Sequence, residues 1–332
     1  MARTHYLSDE RVHYKWDTGN KPVITIESGD TVVVWTRDIS DNQVSPEADA
    51  SVLANFDWDR AYPLSGPIGI DGAEPGDTLR VDVLDVHTQG WGWTGVLPGF
   101  GLLAEEFPDA CLRTFDLSNG EVAYLREDIA VPLAPYFGTM GVCPAGASEQ
   151  PVVPPGTFGG NMDIRQTVKG CTLWLPAQVG QGLVSCGDAH GAQGDGEMCG
   201  TAVEAPMFAA LRFTLEKGRS IPGPQYRTPA PLTARVDSAP FFATTGVGGV
   251  LYAAAQDAVR AMIEHMVTAY ELSPEDAYVL CSIAVDLNIS EIVDGGVYIV
   301  SALLPEAIFT GGTTRTNGAV PAASRVPATV AG

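Results

Sequence analysis

Glycine and proline punctuate the chain throughout its length. Its 37 glycines and 24 prolines are dispersed between short runs in which apolar and polar side chains alternate. Alternation of period two puts successive side chains on opposite faces of a strand, and glycine and proline supply the turns between strands. Such a pattern predicts many short, mostly antiparallel strands over the first two thirds of the chain. Val23-Ile24-Thr25-Ile26, a Glu27-Ser28-Gly29-Asp30 turn and Thr31-Val32-Val33-Val34-Trp35 read as a hairpin-like unit. The turn chemistry recurs at Glu74 to Asp77, ahead of the Thr78 to Leu84 run. Leu173 to Leu175, Leu183 to Cys186 and Met207 to Leu215 are further strands, whereas Trp91 to Phe100 mixes aromatics and glycines so densely that a packed loop is expected.

Helical periodicity comes late. Val259, Met262, Ile263, Met266, Val267 and Tyr270 form one apolar stripe, which leaves His265 on the solvent side. Ser273 then caps a second helix, with Pro274 at its first position and Asp276 completing a box-like cap. Val297 to Leu304 reads as a strand buried on both faces. The organisation expected is a mainly β (α+β) catalytic portion over 1–220, an α/β portion over 221–310 with two helices packed on the β core, and a tail over 311–332. The tail has little apolar bulk, so its ordering would require another surface, a second subunit being favoured.

With 40 Asp and Glu against 19 Lys and Arg the net charge is −21. Nucleic acid is therefore not an expected partner, since gripping phosphates needs a basic stripe. The start of the chain is charged throughout and no window reaches the roughly 20 apolar residues of a membrane span, so no membrane partner and a cytoplasmic location are expected. The six cysteines include no C-x-x-C pair and read as buried hydrophobes.

Four of the five histidines, His5, His13, His87 and His265, have the surroundings of surface or hydrogen-bonded residues. His190 differs. In Ser185-Cys186-Gly187-Asp188-Ala189-His190-Gly191-Ala192-Gln193-Gly194-Asp195-Gly196-Glu197, polar groups alternate with glycine and alanine in a segment that offers nothing to a core. On an extended backbone Asp188 and His190, at i and i+2, would project from one face as adjacent ligands to a cation, and imidazole suits zinc and related metals. Gly159-Gly160-Asn161-Met162-Asp163 repeats the arrangement with two oxygen-bearing side chains, and Glu204 interrupts a small, apolar run where a charge is costly unless paired or metal-bound. Two other readings stay open: an acidic surface loop holding calcium through oxygens, and a non-enzymatic, cation-dependent binding module using Trp91 and Trp93.

These segments resemble the signature of the acetamidase/formamidase family: Gly159 to Asp163, Gly187-Asp188-x-His190-x-Ala192-Gln193-Gly194-Asp195-Gly196-Glu197 and Gly200 to Glu204. Trp16-Asp17, Ser65 to Ile68, Gly72 to Asp77, Trp91 to Gly101, Met140 to Val142 and Ser282 to Leu287 fit its pattern in order, so the likeness covers about residues 12–309. Tyr62 departs from it, standing where many members carry histidine. The resemblance implies barrel-like and jelly-roll-like β parts with a smaller C-terminal α/β portion, and assembly as a homo-oligomer, a dimer or larger. It also implies metal-dependent hydrolysis of formamide or acetamide to the carboxylic acid and ammonia, with a related carbamate or other small amide as the alternative.

A divalent ion, zinc first, would be held by Asp188 and His190, with Asn161 and Asp163 completing the shell or holding a second ion, calcium or zinc. Glu197 or Glu204 would be the general base. Gly159, Gly160, Gly191 and Gln193 would hold the oxyanion or the substrate. Covalent alternatives rest on Cys186, Cys199 or Lys169.

Overall fold

The computed structural model describes residues 2–229, 240–293 and 295–310. The expected tail lies outside the described residues. Two six-stranded sheets make up most of the molecule. One runs in the order Thr4–Leu7, Thr31–Thr36, Met207–Glu216, Thr78–Thr88, Thr172–Pro176 and Gln225–Arg227. The other runs Gly159–Asn161, Tyr136–Val142, Val184–His190, Leu64–Ile70 and Val12–His13, with Ile24–Ile26 also pairing with Leu64–Ile70. Alternation is plain where one face is covered, as in Thr31–Thr36, where Val32, Val34 and Thr36 are buried. The inner strands of the second sheet, Leu64–Ile70, Tyr136–Val142 and Val184–His190, are buried along their whole length.

The barrel-like and jelly-roll-like expectation is corrected. Closing a sheet requires its end strands to pair, yet Thr4–Leu7 and Gln225–Arg227 stand at opposite ends of one sheet, and Gly159–Asn161 and Val12–His13 at opposite ends of the other. The fold is mixed α/β, with several open sheets and a C-terminal pair of helices. In that C-terminal part Phe241–Gly248, Tyr298–Pro305 and Asp286–Glu291 form a three-stranded sheet. Helix α1 (Leu251–Tyr270) lies across it, buried along Ala254, Ala258, Val259, Met262, Ile263 and Met266. The approach is close: Thr244 Oγ1 donates to Ala258 O at 2.7 Å, and a Cβ on Gly246 would sit 1.9 Å from Ala254 O. Helix α2 (Pro274–Ala284) starts as expected, with Ser273 Oγ accepting from the Asp276 amide at 3.0 Å. No helix among the described residues is long and apolar enough to cross a membrane.

Three local readings change. Ile24–Ile26 and Thr31–Thr36 flank the expected turn but enter different sheets, each pairing with distant strands, so they are no hairpin. Trp91–Val96 is a strand paired with Cys111–Asp116. Its glycines serve close approach: a Cβ on Gly92 would lie 2.7 Å from Glu204 O, and one on Gly95 2.5 Å from Cys111 O. Tyr298–Pro305 buries only alternate residues over most of its length, with Ile299, Ser301 and Leu303 half-buried between Val300, Ala302 and Leu304.

Candidate metal centre

His190 is the last residue of the Val184–His190 strand, with Tyr136 opposite it across the sheet. The chain then returns beside it: Gly191 N donates to Val203 O at 2.7 Å, Val203 N to Ala192 O at 2.9 Å and Ala205 N to Ala189 O at 2.9 Å. This doubling-back bridges Glu204 to His190 on one side and to Trp93 on the other. The expectation that the segment buries nothing is overturned, since Asp188, His190, Gln193 and Glu204 are all buried.

Four carboxyl groups surround one imidazole. His190 Nε2 lies 3.1 Å from Asp188 Oδ1, 3.3 Å from Glu204 Oε2 and 3.7 Å from Glu197 Oε1. Donor atoms of Asp188, His190 and Glu204 fall within 4.8 Å of one another, as do those of Asp163, His190 and Glu197. Glu204 Oε1 accepts the Ala202 amide at 2.9 Å, whereas Glu204 Oε2 and Asp163 Oδ1 are buried without a hydrogen-bond partner. Two orphaned carboxylate oxygens aimed into one cluster are what an ion would satisfy.

The other face of the imidazole is fixed. Nδ1 lies 2.8 Å from Gln193 Oε1 and 2.9 Å from Tyr136 Oη, and the Tyr136 hydroxyl donates to the same Gln193 oxygen. Gln193 Nε2 in turn donates to Asp163 O at 3.0 Å, which sets the amide's orientation. A carbonyl oxygen only accepts, so Nδ1 carries a proton, and Nε2 is left facing the carboxylates, where an ion would take the place of its proton. That is the orientation a metal-ligating histidine needs.

Burial, followed by the neighbouring Asp188, raises the Asp163 carboxyl to about 7. Burial and then Asp163 hold Glu197 well above the carboxylate range, and burial raises Glu204 as well. Burial works to lower the His190 pKa, but Glu204, Tyr136 and Asp188 outweigh it and the net shift is strongly upward. A cluster this rich in acid groups keeps its protons unless a cation replaces them. The backbone is strained at the same place. Asp163, Asp188 and Glu197 have φ of 50°, 50° and 43°, and Tyr62 has 57°. Left-handed backbone at a non-glycine residue costs about 1 to 3 kcal/mol and gathers at functional sites.

Other expected site residues stand close by. Asn161 Oδ1 lies 2.6 Å from Thr139 Oγ1, which also lies 3.2 Å from Asp188 Oδ2, so Asn161 is one hydroxyl removed from the cluster. The Gly159 and Gly191 amides donate to Gly156 O and Val203 O, and Gly160 pairs with Met140 in the sheet, so these glycines serve the fold directly. Tyr136 and Gly138 were not singled out from sequence. A Cβ on Gly138 would lie 2.5 Å from Asp163 Oδ1 and 2.8 Å from His190 Cε1, so only glycine leaves the cluster room. Tyr62 is buried, and burial followed by the charges of Asp188, Glu197, Glu204 and Asp163 raises its phenol.

The covalent candidates fare poorly. Cys186 is buried and pushed up to about 12 by burial, Cys199 is raised for the same reason, and Lys169 pairs at the surface with Asp85 at 2.9 Å. His5 and His13 are hydrogen-bonded, to Asp30 and to Ser185 and Lys15. His265 is not on an open face: its ring stacks on Phe242 with centroids 3.5 Å apart, because the neighbouring sheet folds over the helix there.

The acetamidase/formamidase family model matches residues 2–150 and 145–311. The chain belongs to the acetamidase/formamidase family. Membership makes it an amide-hydrolysing enzyme. It is 28% identical over 273 residues to a formamidase of Methylophilus methylotrophus, covering 65% of this chain and 67% of that protein. With an acetamidase of Mycolicibacterium smegmatis it shares 29% over 269 residues, 62% of this chain and 66% of the other. The chain thus spans about two thirds of the length of these curated relatives. Among solved structures, an acetamidase from Bacillus halodurans is 30% identical with a TM-score of 0.65, covering 92% of this chain and 99% of that one. A gamma lactamase from Delftia acidovorans has a TM-score of 0.85 over 93% of both chains at 24% identity, a likeness of fold.

Proposed function

We propose that this amidase is a divalent-metal-dependent hydrolase of short-chain aliphatic amides, formamide or acetamide, yielding the carboxylic acid and ammonia. The observation that carries the reading is the convergence of Asp163, Asp188, Glu197 and Glu204 on His190 Nε2, with two buried carboxylate oxygens unpartnered. One imidazole nitrogen among carboxylate oxygens suits zinc or a related ion. Both donor groups share His190, whose Nδ1 is engaged, so one ion can use the imidazole; a second ion would have oxygen donors alone, as calcium accepts.

Asp188, His190 and Glu204, the most deeply buried set, are the proposed ligands, with Asp163 beside them. A divalent ion bound there supplies Lewis acidity, polarising the amide carbonyl and acidifying water at neutral pH. Glu197 is the most exposed of the three carboxylates nearest His190 Nε2, its side chain keeping 18% exposure against 3% for Asp188 and 1% for Glu204. It takes the proton of the attacking water and returns it to the leaving nitrogen, the work a carboxylate does beside a metal-activated water. Gln193 and Tyr136 hold the imidazole, and Gly138 leaves room for a small substrate against the carboxylates.

Ammonia release from formamide, acetamide, propionamide, urea and ethyl carbamate, with and without chelator, tests the reading. Formamide or acetamide turns over fastest, and the chelator abolishes turnover. Preference for ethyl carbamate would move the enzyme to carbamates, and turnover that ignores the chelator would refute the metal-dependent route.

A further inference from the structure

Donor atoms of Asp163 and Glu197 fall within 4.8 Å of each other beside the imidazole, yet neither residue lies within a regular strand and both have left-handed backbones. What holds them lies outside the cluster. Arg165, two residues beyond Asp163, donates from Nε to Asp195 Oδ1 at 2.9 Å and from Nη2 to Asp286 Oδ2 at 2.6 Å. Asp195 is two residues before Glu197, and its backbone amide donates to Asp286 Oδ1 at 3.0 Å. Gln166 Nε2 adds a donor to Asp195 Oδ1 at 3.1 Å. One guanidinium and two carboxylates therefore tie the Asp163 segment, the Glu197 segment and the chain leaving helix α2 into a single knot. The Arg165 and Asp286 side chains are only 18% and 10% exposed, so that pair is shielded from water and salt, while Asp195 keeps 34% exposure at the rim.

The C-terminal part grips the Glu197 segment elsewhere too. Gly194 N donates to Ser282 O at 2.8 Å, Cys199 N to Ser282 Oγ at 3.1 Å, and Leu287 N to Asp195 O at 3.0 Å. The Tyr278 hydroxyl donates to Met198 O at 2.6 Å. A Cβ on Gly194 would lie 2.0 Å from Val285 O, so the two segments touch backbone to backbone.

We propose that the Arg165–Asp195–Asp286 bridge sets the separation of Asp163 and Glu197, and that these three are positioning residues for amide hydrolysis supplied in part by the C-terminal helical region. The bridge touches no reacting atom. Its kinetic consequence rests on the proposed reaction; its structural consequence does not. The bidentate guanidinium is central, because a lysine reaches one carboxylate as a point charge and cannot span both.

The test compares Asp286→Asn, Arg165→Met and Arg165→Lys with the wild-type chain, using Arg212→Gln, which loosens the remote Arg212–Asp82 pair, as control. Hydrogen exchange of the amides of 194–200 is the readout independent of activity. It speeds up in Asp286→Asn and Arg165→Met, is intermediate in Arg165→Lys, and is unchanged in the control. On the preferred amide kcat falls about 10- to 100-fold in the first two variants, with KM unchanged because binding does not use the bridge. Partial recovery in Arg165→Lys marks a geometric role. If Asp286→Asn does not fold, the Arg165 pair decides. Wild-type exchange at 194–200 in the folded variants would overturn the proposal. A wild-type enzyme without turnover would sink the proposed reaction and leave the exchange data to judge the bridge.

Discussion

The cluster has two halves built in different ways. Asp188, His190 and Glu204 belong to the sheet: a strand buried along its whole length and a return segment hydrogen-bonded to it on one side and to Trp93 on the other. Asp163 and Glu197 belong to irregular segments, are less buried, and are held by an ion-paired knot that reaches to the C-terminal strands. The first half has the rigidity that a ligand set needs. The second has the access that acid-base work needs. Strained backbone on both sides, at Asp188 as at Glu197, shows the fold aiming carboxylates inward against local preference.

If the halves differ in this way, substitutions should separate them. The largest effect belongs to His190→Ala, which removes the nitrogen at the centre. Bound ion and turnover are lost together while the fold survives, and the rate falls by more than the roughly 10⁴-fold that a lost general base can cost. An ion retained at wild-type content by the variant would place the centre elsewhere. Glu197→Gln acts on the other half: the ion stays and turnover falls by about 10²- to 10⁴-fold. Loss of the ion in that variant, measured by metal analysis, would erase the division of labour.

Gln193→Leu sits between the halves, because Gln193 fixes His190 Nδ1 with one end and the Asp163 carbonyl with the other. Metal affinity or activity should drop by about 10- to 100-fold. Unchanged values for both would mean that the imidazole is oriented by packing alone.

The smallest effect is on stability against pH. With the ion removed, Asp163 holds its proton to about 7 against 3.8 when unfolded, and Glu197 and Glu204 are raised in the same sense. Between those limits the folded chain binds more protons than the unfolded one, so its stability falls as pH rises. His190, also raised, contributes stability below 6.5 that is lost as pH rises through its folded value, which is the same direction. An ion replaces those protons, so the melting-temperature gap between ion-loaded and chelated protein should widen from about pH 5 to about pH 8. A gap independent of pH would contradict the protonated cluster.

How much of this was legible in the sequence follows the same division. Asp188 and His190 stand out because ligand-type side chains alternate there with glycine and alanine, a pattern that conceals their burial, and Glu204 because a charge interrupts an apolar run. Tyr136 and Gly138 were hidden, since they meet His190 and Asp163 only through the register of a strand some fifty residues away. Asp195 stands in the His190 segment and Asp286 in Ser282 to Leu287, but their pairing through Arg165 shows only when three distant segments are brought together. Trp91–Val96 misled for a related reason: glycine serving close approach looks, in sequence, like glycine serving a turn. Local turn chemistry at Glu27 to Asp30 was sound, but the sheets its flanking strands join depend on non-local pairing.

The central claim, that His190 and its carboxylates form a divalent-ion site on which amide hydrolysis depends, is tested most directly by removing the ion in steps from the wild-type protein. Metal content and ammonia release are measured on the same samples. The account predicts that turnover falls in proportion to the ion lost from the chain and returns when zinc or a related ion is restored. Full turnover from protein stripped of metal would contradict it.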